Sequence, residues 1–289
     1  MRFASVQSGD RRFAALVEGD RLVPLRGITE LGAATDIGIL GDPPLEPSGA
    51  IALEEALLRP VIPRPAKIIC LGLNYVDHAA EASRGLPDYP VLFTKFPDCL
   101  VGPFDAVVKP PESDAMDYEV ELALIIGRSV RRADAQEGAA AIAGVTVAND
   151  ITMRDFQHRT HQWLQGKSWP SSTPVGPYLV TLDELDLSAG LDLALWLNGV
   201  EMQRASTRDM LFDPGAIIAR ISEFTPLSPG DLILTGTPAG VGHFREPPVH
   251  LKPGDRLRAE ISGVGALENV VVAEQLTGSM ADEAADGPR

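Results

Sequence analysis

Cysteine is nearly absent from this chain of 289 residues. Only Cys70 and Cys99 occur, and neither stands in a Cys-x-x-Cys pair or other metal-ligand spacing, which argues against a disulfide framework, a thiolate zinc site or a redox pair. Their apolar neighbours make buried free thiols in a reducing compartment the expectation for both. No run of about 18 apolar residues exists, so no helix is expected to span a membrane. The opening MRFASVQSGDRRF lacks the apolar core of a secretory signal, and a cytoplasmic protein is expected. Basic clusters are missing as well. With 25 Lys and Arg against 40 Asp and Glu, a net charge of −15, nucleic acid is not an expected partner, and a small anionic substrate would need a local cation.

What is present is organised around MDYEVELALIIGR, residues 116–128. Its alternation puts Glu119 and Glu121 on one face of a strand and Tyr118, Val120 and Leu122 on the other. Residues 122–126 are apolar on both faces and suit a strand entering a packed core. Two carboxylates in one small volume repel unless a proton or cation lies between them, and their oxygens suit a hard divalent ion such as Mg²⁺, Mn²⁺ or Ca²⁺. Taken in isolation, a Glu-x-Glu reads first as a solvated strand edge, since charged residues are mostly exposed.

Residues 1–62 are expected to form a small β-rich domain: a meander of short alternating runs, then a short helix over 51–58. The Pro-rich VIPRPAK marks the boundary to a second unit, 63–289, with a disordered tail from about residue 278. That unit opens with a buried strand, KIICLGL, and a short helix capped by Asn74 in which His78 and Glu81 lie at i and i+3. A His oriented by a carboxylate is the minimum for a general base, and a chance surface pair is the plain alternative. Residues 83–90, with Gly85, Pro87 and Pro90, could serve as a lid. Asp150 ends the apolar run VTVAN and reads alone as a turn former. His158 and His161 have no partner pattern for zinc and are taken as surface or structural. Lys167 reads as a solvent-facing lysine. Further on, Asn198-Gly199 marks a hairpin, and Asp213 caps a helix with a buried stripe of Ile217, Ile218, Ile221 and Phe224. Gly236, Gly240 and Gly242 crowd a loop able to bring N–H groups to an anion.

In series, LGLNYVDHAAE, MDYEVELALIIGR, VANDITMRDFQ, GKSWPSSTPVGP, LNGVEMQ, LSPGDLILTGTPAGVG and the closing KPGD strand resemble the fumarylacetoacetate hydrolase family, over residues 65–276. The resemblance implies a mainly β fold with short α-helices, a mixed β-roll or sandwich, usually as a homodimer. It implies that Glu119, Glu121 and Asp150 hold one Mg²⁺, Mn²⁺ or Ca²⁺ and that His78 and Glu81 polarise a water. It places Lys167 as the cation at the substrate oxygens, Gln157 as the neighbouring amide, and Gly236 and Thr237 at the substrate carboxylate. The activity it implies first is metal-dependent C–C bond hydrolysis of an acylpyruvate-like acid to a pyruvate-type product. An oxaloacetate-type decarboxylase, a 2-hydroxydienoate isomerase of aromatic catabolism and a binding module without catalysis are the alternatives. Two departures stand out: Pro170 replaces an Asp common in the family, and the N-terminal unit is shorter than that of fumarylacetoacetase.

Overall fold

The N-terminal alternation produces three antiparallel strands, Arg2–Ser8, Arg11–Glu18 and Arg21–Pro24, joined by two-residue turns in which Gly9 and Gly19 take φ of 57° and 63°. Residues 51–58 are not the helix expected from the sequence. Ile51–Ala52 and Leu57–Leu58 pair with Arg21–Pro24 and Arg2–Ser8, and only a 3-10 turn, Leu53–Glu55, lies between them. A helix of two turns is too short to nucleate in competition with open strand edges. This is a computed structural model that describes residues 1–82 and 85–275. The tail from about 278, and residues 83 and 84 at the start of the candidate lid, lie outside the described residues.

Arg2–Ser8 also pairs with Thr173–Thr181, which carries the meander into a mixed sheet of twelve described strands. At its centre lies Val120–Ile126, buried at every position. Leu122, Leu124 and Ile126 share a core with Leu193, Leu195, Leu257 and Leu267 of a second, five-stranded sheet. Ala123 and Ile125 face the other way, into a core with Phe3, Leu25 and Cys70. Burial on both faces explains why the run shows no polar alternation. Cys70 and Cys99 are buried and free. Among the described residues no helix is long and apolar enough to cross a membrane.

Register then positions the site. Ile142–Asn149 runs antiparallel to the central strand with Val120 opposite Asn149, so Asp150 lies beside Glu119 and donates its N–H to the Glu119 carbonyl at 2.8 Å. On the other side Leu232–Leu234 pairs antiparallel with the central strand and parallel with Ile68–Gly72. The exits of these two parallel strands therefore meet, and Asn74 ties them. Its Nδ2 donates to the carbonyls of Thr235 (2.8 Å) and Phe212 (3.2 Å), and its Oδ1 accepts from Phe212 N–H (2.8 Å). Asn74 is thus not the helix cap expected from the sequence; Val76–Glu81 begins after Tyr75 with no side-chain cap. Satisfying three buried backbone groups outweighs one helix-end N–H.

Asn198 and Gly199 form the expected hairpin turn at φ of 52° and 82°. Helix Pro214–Ser222 is capped by Asp213 and buries Ile217, Ile218 and Ile221. Phe224, assigned to the same stripe, is 62% exposed, because the helix ends at Ser222 and the chain turns away.

Candidate active site

The two-residue period of residues 117–121 and the end of the neighbouring strand Ile142–Asn149 together deliver three carboxylates to one place. Ligand atoms of Glu119, Glu121 and Asp150 all lie within 4.8 Å of one another, and the residues are buried. Asp117, on the same alternation, is buried as well. Three buried cations answer these four carboxylates. Lys167 Nζ donates to Glu119 Oε2 at 2.6 Å and Asp150 Oδ2 at 2.7 Å. Lys95 Nζ donates to Asp150 Oδ1 at 2.7 Å and to the Ile151 carbonyl at 3.2 Å. Arg154 reaches Asp117 Oδ2 through Nε at 2.9 Å and Glu119 Oε1 through Nη2 at 2.6 Å. Lys167, solvent-facing by its local sequence, is 2% exposed.

Glu121 has no such ion pair among the described residues; its Oε2 accepts the Gly236 N–H at 2.7 Å. Burial, and then the Asp150 and Glu119 charges, push its carboxyl well above the ordinary range. Glu119 moves the opposite way: burial would raise it, but Lys167 and then Arg154 hold it down at about 2. Burial likewise opposes the Lys167 ammonium, and Asp150 and Glu119 outweigh it, so its pKa lies above that of an ordinary lysine.

His78 faces this cluster across a cavity. Its Nδ1 lies 3.3 Å from Glu81 Oε2, and Glu81 Oε1 accepts the Gly240 N–H at 3.0 Å. A carboxylate at Nδ1 assigns the proton to that nitrogen and leaves Nε2 with its lone pair. The three glycines do present N–H groups to anions, but the anions are the protein's own: Gly236 serves Glu121, Gly240 serves Glu81, and Gly242 serves Asp117 Oδ1 at 2.8 Å. A Cβ on Gly242 would fall 2.0 Å from the Val249 carbonyl, so only glycine fits there.

The cavity measures about 120 Å³. His78, Glu119, Arg154, Gln157, Lys167 and Thr237 supply its polar lining, and Leu71, Phe93, Trp163 and Phe244 its apolar one. Glu81, Glu121, Asp150 and Gly236 lie behind that wall rather than on it. Thr237 Oγ1 donates to the Val120 carbonyl at 3.0 Å and accepts from Gln203 Nε2 at 2.9 Å. Gln157 Oε1 accepts from Arg154 Nη1 at 3.0 Å. Two of the three Lys167 donors are engaged in the cluster, which leaves one for a ligand. His158, read as surface or structural, is exposed and also borders the cavity, stacked on His243 at 5.4 Å between centroids. Asp117, Lys95 and Arg154 were not singled out from the sequence. Asp117 carried a signal, since 117, 119 and 121 share one period; Lys95 and Arg154 carried none locally.

The family profile of the fumarylacetoacetate (FAA) hydrolase C-terminal domain matches residues 67–272. The chain belongs to the fumarylacetoacetate hydrolase family. It is 45% identical over 221 residues to human mitochondrial oxaloacetate tautomerase FAHD2A, covering 76% of this chain and 70% of that protein. The fumarylacetoacetate hydrolase of Exiguobacterium antarcticum superposes with a TM-score of 0.84 at 33% identity, covering 95% of this chain and 100% of that one. For 5-carboxymethyl-2-hydroxymuconate delta-isomerase of Mycobacterium smegmatis the TM-score is 0.82 at 31% identity, with the same coverage. The chain is therefore an enzyme of this family and has its mainly β fold. A divalent cation fits the residues present. Glu121 is a buried carboxylate with no cationic partner among the described residues, and the all-oxygen donor set of Glu119, Glu121 and Asp150 suits hard ions rather than thiophilic ones.

Proposed function

We propose that this fumarylacetoacetate hydrolase family enzyme acts on a small 2-oxo acid through its enol form, with keto–enol tautomerisation of an oxaloacetate-type acid as its reaction. One observation carries the reading: a carboxylate-held base, His78, and a buried cation, Lys167, line the same cavity as the edge of a three-carboxylate cluster. The volume of about 120 Å³ lies well under the roughly 300–1,000 Å³ of drug-sized sites, which supports a small acid. Identity of 45% to an oxaloacetate tautomerase supports the choice of reaction.

Each residue has a task in this reading. Lys167 donates its remaining N–H to the 2-oxo oxygen as that atom gains charge, and Arg154 and Gln157 orient the acid end. His78 Nε2 takes the proton from the adjacent carbon and returns one to the oxygen, while Glu81 keeps the imidazole oriented. Leu71, Phe93, Trp163 and Phe244 limit bulk water, which strengthens these interactions. When bound to Glu119, Glu121 and Asp150, a divalent cation such as Mg²⁺ or Mn²⁺ supplies Lewis-acid polarisation of the 2-oxo group.

Hydrolysis of an acylpyruvate to pyruvate and a carboxylic acid is the second reading. The His78–Glu81 pair favours it, since the same base could take its proton from water in a cavity that opens outward past Trp163. An assay of Mg²⁺- or Mn²⁺-loaded protein on oxaloacetate and acetylpyruvate separates the two. Faster loss of the enol absorbance with no carbon released supports the tautomerase. Pyruvate released from acetylpyruvate supports the hydrolase, and turnover of neither sinks both. His78→Ala should lower the rate by about 10²–10⁴-fold, and an unchanged rate would remove His78 as the base.

A further inference from the structure

Two hollows meet at one tryptophan. The inner cavity of about 120 Å³ and an outer groove of about 680 Å³ share only Leu73, His158 and Trp163 among the described residues of their walls. Trp163 stands at the head of the helix Leu164–Lys167, where its carbonyl accepts the N–H groups of Gly166 (2.9 Å) and Lys167 (3.2 Å), so the indole is anchored to the same turn as the buried lysine. Its ring rests on the backbone of Gly72. A Cβ there would fall 2.3 Å from Trp163 Cζ3 and 2.7 Å from Cη2, closer than a side-chain atom can sit. The φ of Gly72 is not in the left-handed region, so the indole, and not the backbone conformation, is what requires glycine at this position. The indole also meets Phe93 edge-on at 5.5 Å between centroids, and Phe93 in turn lies under Lys167 Nζ at 4.9 Å. Leu73 beside it takes φ of 59°, uncommon for leucine, next to Asn74, whose three hydrogen bonds to Phe212 and Thr235 fix the turn. A ring packed this closely has little room to yield to a ligand.

We infer that Trp163 is a specificity-determining residue that sets how long a substrate chain the site accepts. Its indole stands between the cavity and the groove, so a short chain fits whole inside the cavity, and a longer one must displace the ring from Gly72 and Phe93. The inference rests on the 2-oxo acid reading and deepens it: His78 and Lys167 act on the oxo-acid end whatever the tail, and Trp163 limits the tail.

Calorimetric titration of the Mg²⁺-loaded protein with 2-oxobutanoate and 2-oxooctanoate tests it. These acids share the oxo-acid end and differ only in methylenes. The wild type is expected to bind the shorter acid more tightly by roughly 10–200-fold, the range over which a fixed hydrophobic wall discriminates by size. Trp163→Ala joins cavity and groove and should bring that ratio to one or below. Because the ratio is taken within each variant, a loss of affinity common to both acids, such as a shifted Lys167 would cause, cancels. Trp163→Phe keeps a smaller ring beside Phe93 and should relax the ratio in part, and it carries the test if Trp163→Ala does not fold. Gly72→Ala should change the ratio in the wild type and leave it unchanged in the Trp163→Ala background, because the atoms its methyl meets first belong to the indole. A ratio of one in the wild type, or one that survives the Trp163 substitutions, overturns the role of Trp163 and leaves the oxo-acid reading standing. Binding of neither acid overturns the oxo-acid reading and the inference with it.

Discussion

Lys95 grips Asp150 through one carboxylate oxygen while Lys167 holds the other, so the two lysines together fix how that carboxylate is presented to Glu119 and Glu121. Lys95→Met keeps the aliphatic stem and deletes the charge. Breaking a buried pair of this kind costs about 3–5 kcal/mol. Thermal unfolding should show that loss, and calorimetry on the folded variant should show divalent-cation affinity lowered by roughly 10–100-fold, as when a ligand loses its supporting partner. Undiminished affinity would take Lys95 out of the site. His243 makes a pH prediction. Burial, and then Arg154, hold its imidazole below the ordinary value. The unfolded chain takes up that proton near about pH 6.5, whereas the folded protein resists it until lower pH. The stability linked to His243 is therefore fully present above about pH 6.5 and is lost as the pH falls toward its folded value. Melting scans across this window should fall less steeply with acid for His243→Gln than for the wild type. At this scale the acidic residues were legible because type and spacing are local. Lys95, between Thr94 and Phe96, was not, because nothing in its neighbourhood names the carboxylate it meets 55 residues away.

Among the elements, those that departed from expectation did so where tertiary partners outweighed local preference. Asn74 left the helix end to hold Thr235 and Phe212, and residues 51–58 joined sheet edges instead of coiling. The helix Pro214–Ser222 offers a direct test of its revised stripe. Ile221→Ala empties a fully buried position and should cost about 2–5 kcal/mol in denaturant unfolding. Phe224→Ser alters an exposed residue past the helix end and should stay within about 0.5 kcal/mol. A large loss for Phe224→Ser would restore it to the core. The glycine loop after Leu232–Leu234 was legible as an anion-facing loop, yet its N–H groups are taken by Glu121, Glu81 and Asp117. Which anion a loop serves depends on the strands beside it.

For the molecule as a whole, four buried carboxylates meet three buried cations, and Glu121, without a cationic partner among the described residues, is pushed toward its protonated form; ionised as a metal ligand, it gives the site one negative charge in excess. A divalent cation turns that excess positive, which a small acid requires. Mn²⁺ at about 100 times its Kd should add about 2.7 kcal/mol of stability. For a chain of this size that is roughly 5–10 °C in Tm. Differential scanning calorimetry with and without chelator should show the shift in the wild type and none in Glu121→Gln. Without metal, Glu121→Gln should melt no lower than the wild type, since an amide replaces a buried carboxyl that its surroundings already push toward the neutral form. A chelated wild type that fails to fold would make the metal structural. By itself the sequence determined the mainly β architecture, the face shared by Glu119 and Glu121, the hard-cation chemistry of their oxygens and the pairing of His78 with Glu81. Periodicity, helical spacing and donor type are local properties of a chain. Only the tertiary structure decided that Lys95, Lys167 and Arg154 meet those carboxylates and that Glu121 has no cationic partner among the described residues. Those outcomes depend on strand register and on the parallel pairing of Ile68–Gly72 with Leu232–Leu234, which set distances between groups far apart in the chain. In a buried site those distances determine which charges are balanced.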